Sequence, residues 1–218
     1  MKKFSDRPFL LSIFFLILIL FFSCGGAKPE IMQIEWRTVM RDDGITRFEE
    51  LDIYLDIYDP DGKDDLAAIS IYPQNTDLVW SQPVKNLKYI KKEGISWLVY
   101  PPLRGTGREL PEALYVIKLE DLAGQCTEFT FRPEPPFSDF NSIQWPEASI
   151  NNGILELTGL YNSAELFLRD EELKSLKSIT VKNGSRVDLT SAAYWELWIP
   201  LESVSSGFRL GPYPVENR

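Results

Sequence analysis

Histidine is absent from all 218 residues. Its absence removes the commonest general base, the commonest metal ligand and every histidine-containing catalytic triad. Cysteine occurs only at Cys24 and Cys126, too few for a disulfide framework. Positive charge is scarce as well, because 23 Lys and Arg stand against 32 Asp and Glu for a net charge of −9. Lys2, Lys3 and Arg7 against Asp6 give the first 23 residues a net +2, which leaves −11 for the remainder. Such a surface repels phosphate backbones and anionic lipid, so no nucleic-acid partner is expected. There is no Gly-rich phosphate loop, no Ser-x-x-Lys and no Gly-x-Ser-x-Gly site. Sustained helical periodicity is missing before Glu134.

One long apolar run is present. Phe9 to Phe22 (FLLSIFFLILILFF) follows a short basic stretch, Met1 to Arg7. As a helix, 14 residues reach about 21 Å, short of the roughly 30 Å hydrocarbon core of a bilayer. A signal-peptide core fits that length better than a membrane-spanning helix. The small residues Ser23, Cys24, Gly25 and Gly26 follow, where a peptidase needs unhindered backbone.

With this order of basic flank, apolar run, Ser23 and Cys24, the leader resembles bacterial lipoprotein precursors, whose lipobox reads roughly Leu-Ala/Ser-Gly/Ala-Cys. Phe21 and Phe22 depart from that pattern in the manner of relaxed, spirochaete-type lipoboxes. The resemblance implies recognition by a signal peptidase through Phe21, Phe22 and Ser23, and a mature chain that starts at Cys24. It also implies a diacylglycerol on the Cys24 sulfur and a further acyl chain on its amino group. Two or more chains anchor stably where one is marginal. Gly25, rather than Asp, after the cysteine is compatible with outer-membrane sorting. With Cys24 acylated, Cys126 has no intramolecular partner.

Residues 24–30 read as a tether, and from Ile31 the chain alternates with the two-residue period of half-buried strands. Leu51, Ile53, Leu55 and Ile57 are apolar at every second position, with Asp52, Tyr54, Asp56 and Tyr58 between them. The turn Asp59-Pro-Asp-Gly62 follows, then strands at 66–72, 94–100, 113–119 and 127–131, the last two separated by Asp121-Leu-Ala-Gly124. This succession of short strands and turns predicts an antiparallel sandwich. In layout, residues 31–133 resemble bacterial immunoglobulin-like or fibronectin-type-III-like domains, with "LYVIKLEDLAGQ" in the place of the penultimate strand and final turn.

Residues 134–141 break the composition with Glu134, Pro135, Pro136, Ser138 and Asp139, as a stiff linker would. Further strands are expected at 154–160, 164–169, 178–182, 194–199 and 207–210, and Asp170 to Leu176 could form one helical turn. Trp97, Tyr100, Pro102 and Leu103 are matched 98 residues later by Trp195, Trp198, Pro200 and Leu201, a faint internal repeat. The expectation is all-β: two tandem immunoglobulin-like antiparallel sandwiches, 31–133 and a smaller 142–218.

Chemistry-bearing sets are few. Asp59, Asp61, Asp64 and Asp65 are the best metal candidates, since calcium favours several carboxylates in one loop. The EF-hand spacing fails, because Ser70 stands at its twelfth position, and ordinary turn chemistry accounts for Pro60 and Gly62. Glu50-Leu-Asp52 resembles the Glu-x-Asp-x-x-Glu strand of some jelly-roll glycosidases, yet Leu55 replaces the final glutamate. Trp97 and Trp195 alternate with aliphatic residues and read as core; Trp36, Trp80, Trp145 and Trp198 fit core or surface. Nothing nearby activates the Cys126 thiol. The reading is a non-enzymatic lipoprotein of the bacterial envelope, at the outer membrane rather than the inner one. It needs no cofactor or metal beyond the lipid on Cys24, and it has a structural or protein-binding role. The other reading is a glycan or small-molecule binding module that uses exposed aromatics.

Overall fold

The computed structural model describes residues 26–134, 137, 139–159, 163–201 and 206–215. Phe21, Phe22, Ser23 and Cys24 lie outside the described residues. The fold is all-β. In chain order the strands are β1 (Glu30–Asp42), β2 (Arg47–Tyr58), β3 (Leu66–Pro73), β4 (Trp80–Pro83) and β5 (Lys88–Lys92). Next come β6 (Ile95–Arg104), β7 (Tyr115–Asp121), β8 (Cys126–Phe131), β9 (Glu147–Asn151) and β10 (Ile154–Thr158). The last five are β11 (Ala164–Arg169), β12 (Ser175–Val181), β13 (Arg186–Asp188), β14 (Tyr194–Leu201) and β15 (Ser206–Pro214). Among the described residues no helix is long and apolar enough to cross a membrane.

The strands form three sheets. Eight join in the order β12-β11-β14-β15-β1-β2-β6-β5, four in the order β4-β3-β7-β8, and three in the order β13-β10-β9. The large sheet crosses the boundary expected at 134–141, because β1 lies parallel to β15 with Thr38 opposite Ser206 and Asp42 opposite Leu210. On its other side β1 runs antiparallel to β2. At about 3.3 Å per residue, its 13 residues reach about 43 Å, enough to serve two cores in succession.

Alternation decides which side chains enter those cores. Leu51, Ile53, Leu55 and Ile57 of β2 are buried against Ile69 and Ile71 of β3 and Ile117 and Leu119 of β7, so the four-stranded sheet covers one end of the large sheet. Ile31, Ile34 and Trp36 of β1 join this first core. Four residues further along β1, Met40 enters a second core with Leu166, Leu197 and Phe208 of the large sheet and Leu155 and Leu157 of the three-stranded one. Full burial of a Leu or Ile side chain contributes about 1.5–3 kcal/mol, so each core is a substantial stabilising term. Within 134–141, Phe140 is buried and Phe137 packs on the same second core, its ring 5.7 Å from Phe208.

Residues 170–176 form no helical turn. Asp170 Oδ1 accepts hydrogen bonds from the Glu172 and Lys174 amides at 3.0 and 2.8 Å, and β12 then starts at Ser175. The aspartate offers the backbone a local alternative to helix.

Gly207 marks the tightest place in the shared sheet, paired with Val39 on one side and Pro200 on the other. A Cβ there would lie 2.5 Å from the Ile199 carbonyl oxygen and 2.6 Å from Trp198 Cη2. The backbone oxygen cannot move aside without breaking the ladder. Gly207→Ala is therefore expected to destabilise the chain by about 1–3 kcal/mol, the usual cost of overpacking, read as a lower urea midpoint.

Candidate functional site

The residues of the large sheet that alternate with the cores lie on its opposite face. Five adjacent strands bring Arg169 (β11), Glu196 (β14), Arg209 (β15), Arg41 (β1), and Glu50 and Asp52 (β2) together there. Arg209 sits at the centre. Its Nη1 donates to Glu50 Oε1 at 3.0 Å and its Nη2 to Asp52 Oδ2 at 2.7 Å, while its Nε lies 3.7 Å from Glu196 Oε1. Arg41 bridges Glu50 and Glu196 at 3.8 Å each, and Arg169 Nε donates to Glu196 Oε2 at 3.0 Å. Three guanidiniums thus face three carboxylates. The planar, five-donor guanidinium suits this role because one arginine can satisfy several carboxylates at once.

Electrostatics follow from crowding. Burial works against the Arg209 charge, but Asp52, Glu50 and Glu196 together hold its pKa above the ordinary value. Glu50 is pushed above the usual carboxylate range because loss of solvent outweighs the attraction of Arg41 and Arg209, with Asp52 adding repulsion. Aromatic rings interleave with these charges. Arg104 lies 3.6 Å from the Phe48 ring centre, Arg209 5.5 Å from Trp198, Arg37 5.8 Å from Tyr54 and Arg169 5.9 Å from Phe167. These are cation–π distances. The face is therefore a neutralised arginine, carboxylate and aromatic surface, half-buried by its own packing.

The sequence candidates fall in different places. Glu50 and Asp52 are ion-paired in this ladder rather than set as an acid and a nucleophile. Trp97 and Trp195 are both buried; Trp36 and Trp80 pack against the first core, Trp145 against the second, and Trp198 lies on the ladder face. Cys126 is a half-buried free thiol at the start of β8. Asp59, Asp61 and Asp65 converge, with one carboxylate oxygen from each within 4.8 Å of the others, and Asp64 is not in that set. The turn builds this convergence: Asp59 Oδ1 accepts from the Asp61 amide at 2.9 Å, and Gly62 adopts φ +106°, open to glycine without a Cβ penalty. The carboxyl of Asp65 is raised by loss of solvent first and then by the charges of Asp121, Asp59 and Asp61.

Two participants escaped the sequence reading. Arg209 sits in "GFRLG", which reads as an ordinary strand, and only the β1–β15 pairing gives it partners. Asp121 opens the Asp121-Leu-Ala-Gly124 turn, whose Asp and Gly signalled a turn but not its neighbours. A groove of about 670 Å³ beside β9 and β15 includes Asp42, Arg47 and Tyr213 in its lining. Burial opposes ionisation of Asp42, but hydrogen bonds from Arg47, the Gly44 amide and Tyr213 outweigh it and lower the pKa.

No protein-family model and no curated protein matches the chain. It is similar to one solved structure, that of dimeric latent PorU from Porphyromonas gingivalis, at 12% identity with a TM-score of 0.32. The match takes in 86% of this chain and 20% of that one, so this chain spans about a fifth of PorU's length. A likeness that loose carries no argument about family or activity.

Removing Arg209 leaves Asp52 and Glu50 under-compensated on a face where both are mostly buried. Arg209→Met is expected to cost about 3 kcal/mol in denaturant unfolding, the scale seen when one partner of a buried ion pair is deleted.

Glu49 gives a pH signature. It is 7% exposed and accepts one hydrogen bond from the Leu110 amide at 2.9 Å, yet burial raises its pKa above 4.5, with Glu109 and Glu112 adding repulsion. A raised carboxyl binds its proton more tightly folded than unfolded, so its contribution is complete below about pH 4.5 and is lost as pH rises through the folded pKa. Glu49→Gln keeps an acceptor for Leu110 without the buried charge. Its melting temperature is expected to match the parent near pH 4 and to exceed it near pH 8 by about 2–4 °C, the shift that 1 kcal/mol gives in a chain this size.

Proposed function

We propose that this chain is a bacterial envelope lipoprotein, acylated on Cys24 after loss of residues 1–23 and held outside the cytoplasm at the outer membrane. Its body serves as two immunoglobulin-like sandwich units, and its role is non-catalytic contact with a protein partner. The anchor rests on the leader: a basic flank, an apolar run too short to span, and Ser23-Cys24-Gly25-Gly26.

The contact role is carried by one observation, the outer face of the large sheet. Trp198, Tyr54 and Phe167 lie there among Arg37, Arg169 and Arg209. Tryptophan, tyrosine and arginine are the residues that dominate protein–protein binding energies. Because Arg169 and Arg209 are already matched by carboxylates, a partner meets pre-ordered side chains there and loses little entropy in fixing them. The lysine-rich edge strand β5, with Lys88, Lys91 and Lys92, disfavours strand addition at that side of the sheet. Support for glycan stacking is weaker, since all six tryptophans are buried or half-buried.

One experiment tests both parts. The full chain and Cys24→Ser are expressed in a bacterial host that processes lipoproteins, and each is split between detergent and aqueous phases. The parent is expected in the detergent phase and Cys24→Ser in the aqueous phase; equal partition of both, with no shorter mature form, would overturn the anchor. Cross-linked partners of the detergent-phase protein are then compared with those of Trp198→Ala. Loss of a defined partner in the folded variant is expected, and an unchanged set would remove the face from the reading.

A further inference from the structure

The acidic corner has no part in that contact face. It lies where the β2–β3 connection meets the β7–β8 turn, and the leading segment reaches it too. Asp59 and Asp61 come from the first connection, Asp65 from the short 3-10 turn Lys63–Asp65, and Asp121 from the end of β7. Strand pairing sets Leu66 opposite Asp121, and the Leu122 amide donates to the Asp65 carbonyl at 2.7 Å, which locks the two turns together.

Two of these carboxylates are buried without full satisfaction. Asp59 is 6% exposed and Asp121 1% exposed. In each, Oδ1 accepts a backbone amide, from Asp61 and Gln125 respectively, while Oδ2 has no hydrogen-bond partner among the described residues. A buried carboxylate oxygen with neither donor nor counter-charge is costly. No Lys or Arg forms an ion pair with Asp59, Asp61, Asp65 or Asp121 among the described residues. The nearest basic side chain in sequence, Lys63, holds its ammonium 4.4 Å from the ring centre of Tyr89. This arrangement contrasts with the ladder, where Glu50, Asp52 and Glu196 each have a guanidinium.

We propose that this corner binds a calcium-class divalent cation, with Asp59, Asp61 and Asp65 as carboxylate ligands and Asp121 completing the site from the β7–β8 turn. The donor chemistry selects the ion. All four groups are hard oxygen donors, which suit calcium or magnesium rather than zinc or copper. Two oxygens on opposite sides of a calcium ion stand about 4.6–5.2 Å apart, against about 4.0–4.2 Å for magnesium. The three carboxylate oxygens lie within 4.8 Å of one another, inside the span of a calcium coordination shell. The leading segment closes the site at its side. The Ala27 amide donates to Asp61 Oδ2, and Gln125 Nε2 donates to the Gly26 carbonyl. A Cβ on Gly26 would stand 3.0 Å from Asp61 Oδ2 and 3.8 Å from Asp65 Oδ2, so glycine lets the backbone approach both carboxylates.

The test uses the full chain purified in detergent, stripped with EDTA and returned to metal-free buffer. Calcium chloride is added during thermal melts and in titration calorimetry, with sodium chloride of matched ionic strength and magnesium chloride as comparisons. One saturable calcium site is expected, in the range of about 10⁻⁴–10⁻³ M typical of extracytoplasmic modules. The melting temperature is expected to rise by about 3–6 °C at ten times that concentration, with a smaller rise for magnesium. Asp121→Asn is expected to weaken calcium binding at least tenfold, while its metal-free melting temperature equals or exceeds that of the parent. Asp61→Asn, at an exposed position, gives a second variant should Asp121→Asn fail to fold, and it too is expected to lose affinity. No calcium heat or melting shift beyond the sodium chloride control would overturn the site, as would a calcium shift retained in both variants.

Discussion

Both cores depend on a single strand being long enough to serve them in turn. β1 runs antiparallel to β2 over its whole length and parallel to β15 over its last five residues, so the sheet stays continuous from β12 to β5. Its inward residues change allegiance along the way. Ile34 and Trp36 contribute to the first core and Met40 to the second. A parallel pair needs a long crossover rather than a hairpin, and here nearly the whole chain, from β2 through β14, is that crossover. Among the described residues, the last strand is thus laid beside the first. Contacts of such separation carry a large loop-closure cost, so the β1–β15 pairing belongs to the slow, late class of folding events.

That continuity also dictates the outer face. Once two apolar cores claim one side of the large sheet, period-two alternation puts every intervening residue on the other. In β2 those residues are Glu50, Asp52, Tyr54 and Asp56, and in β15 the matching one is Arg209. Five strands packed 4.8 Å apart cannot bring carboxylates so close without intervening positive charge. Arg41 and Arg209 stand on neighbouring strands, directly opposite one another in the β1–β15 register, and this like-charge pair persists because Glu50 and Glu196 lie between. The ladder is consequently a condition for the shared sheet as well as a surface for contact.

How much of this was legible depends on whether the signal is local. Strong alternation marked β2, β3, β7, β11 and β14, and the Asp-Pro-Asp-Gly and Asp-Leu-Ala-Gly turns sat where the sequence placed them. β4, β5, β9 and β13 were not foreseen, because WSQP, KYIKK, EASIN and RVD are short and half polar. They are sheet edges, with a neighbour on one side only, so little burial is imprinted on their sequences. The pairing of β1 with β15 had no local signature at all, since a parallel partner leaves no turn between its strands. For the same reason Arg209 and Asp121 went unread: each acquires its role from residues far away in sequence.

The chain disposes of buried negative charge in two ways, and the difference follows from geometry. On the flat outer face, neighbouring strands present side chains at regular spacing, so a long guanidinium from one strand reaches carboxylates on the next, as Arg209 reaches Glu50 and Asp52. At the corner, Asp59, Asp61 and Asp65 come from tight turns whose short side chains converge, and Asp121 with its unpartnered Oδ2 stands at the adjoining β7–β8 turn. A seven-atom arginine side chain cannot fold into that centre, and Lys63 instead lies over Tyr89. A small ion can occupy such a point, because it brings charge without a stem to accommodate. Turns that converge on one point therefore call for a cation, and strands that run side by side call for arginine. The leading segment, Gly26 and Ala27, meets the corner rather than the ladder, so it packs where the charge depends on an ion. The ladder face carries its own counter-charges and stays ordered without it.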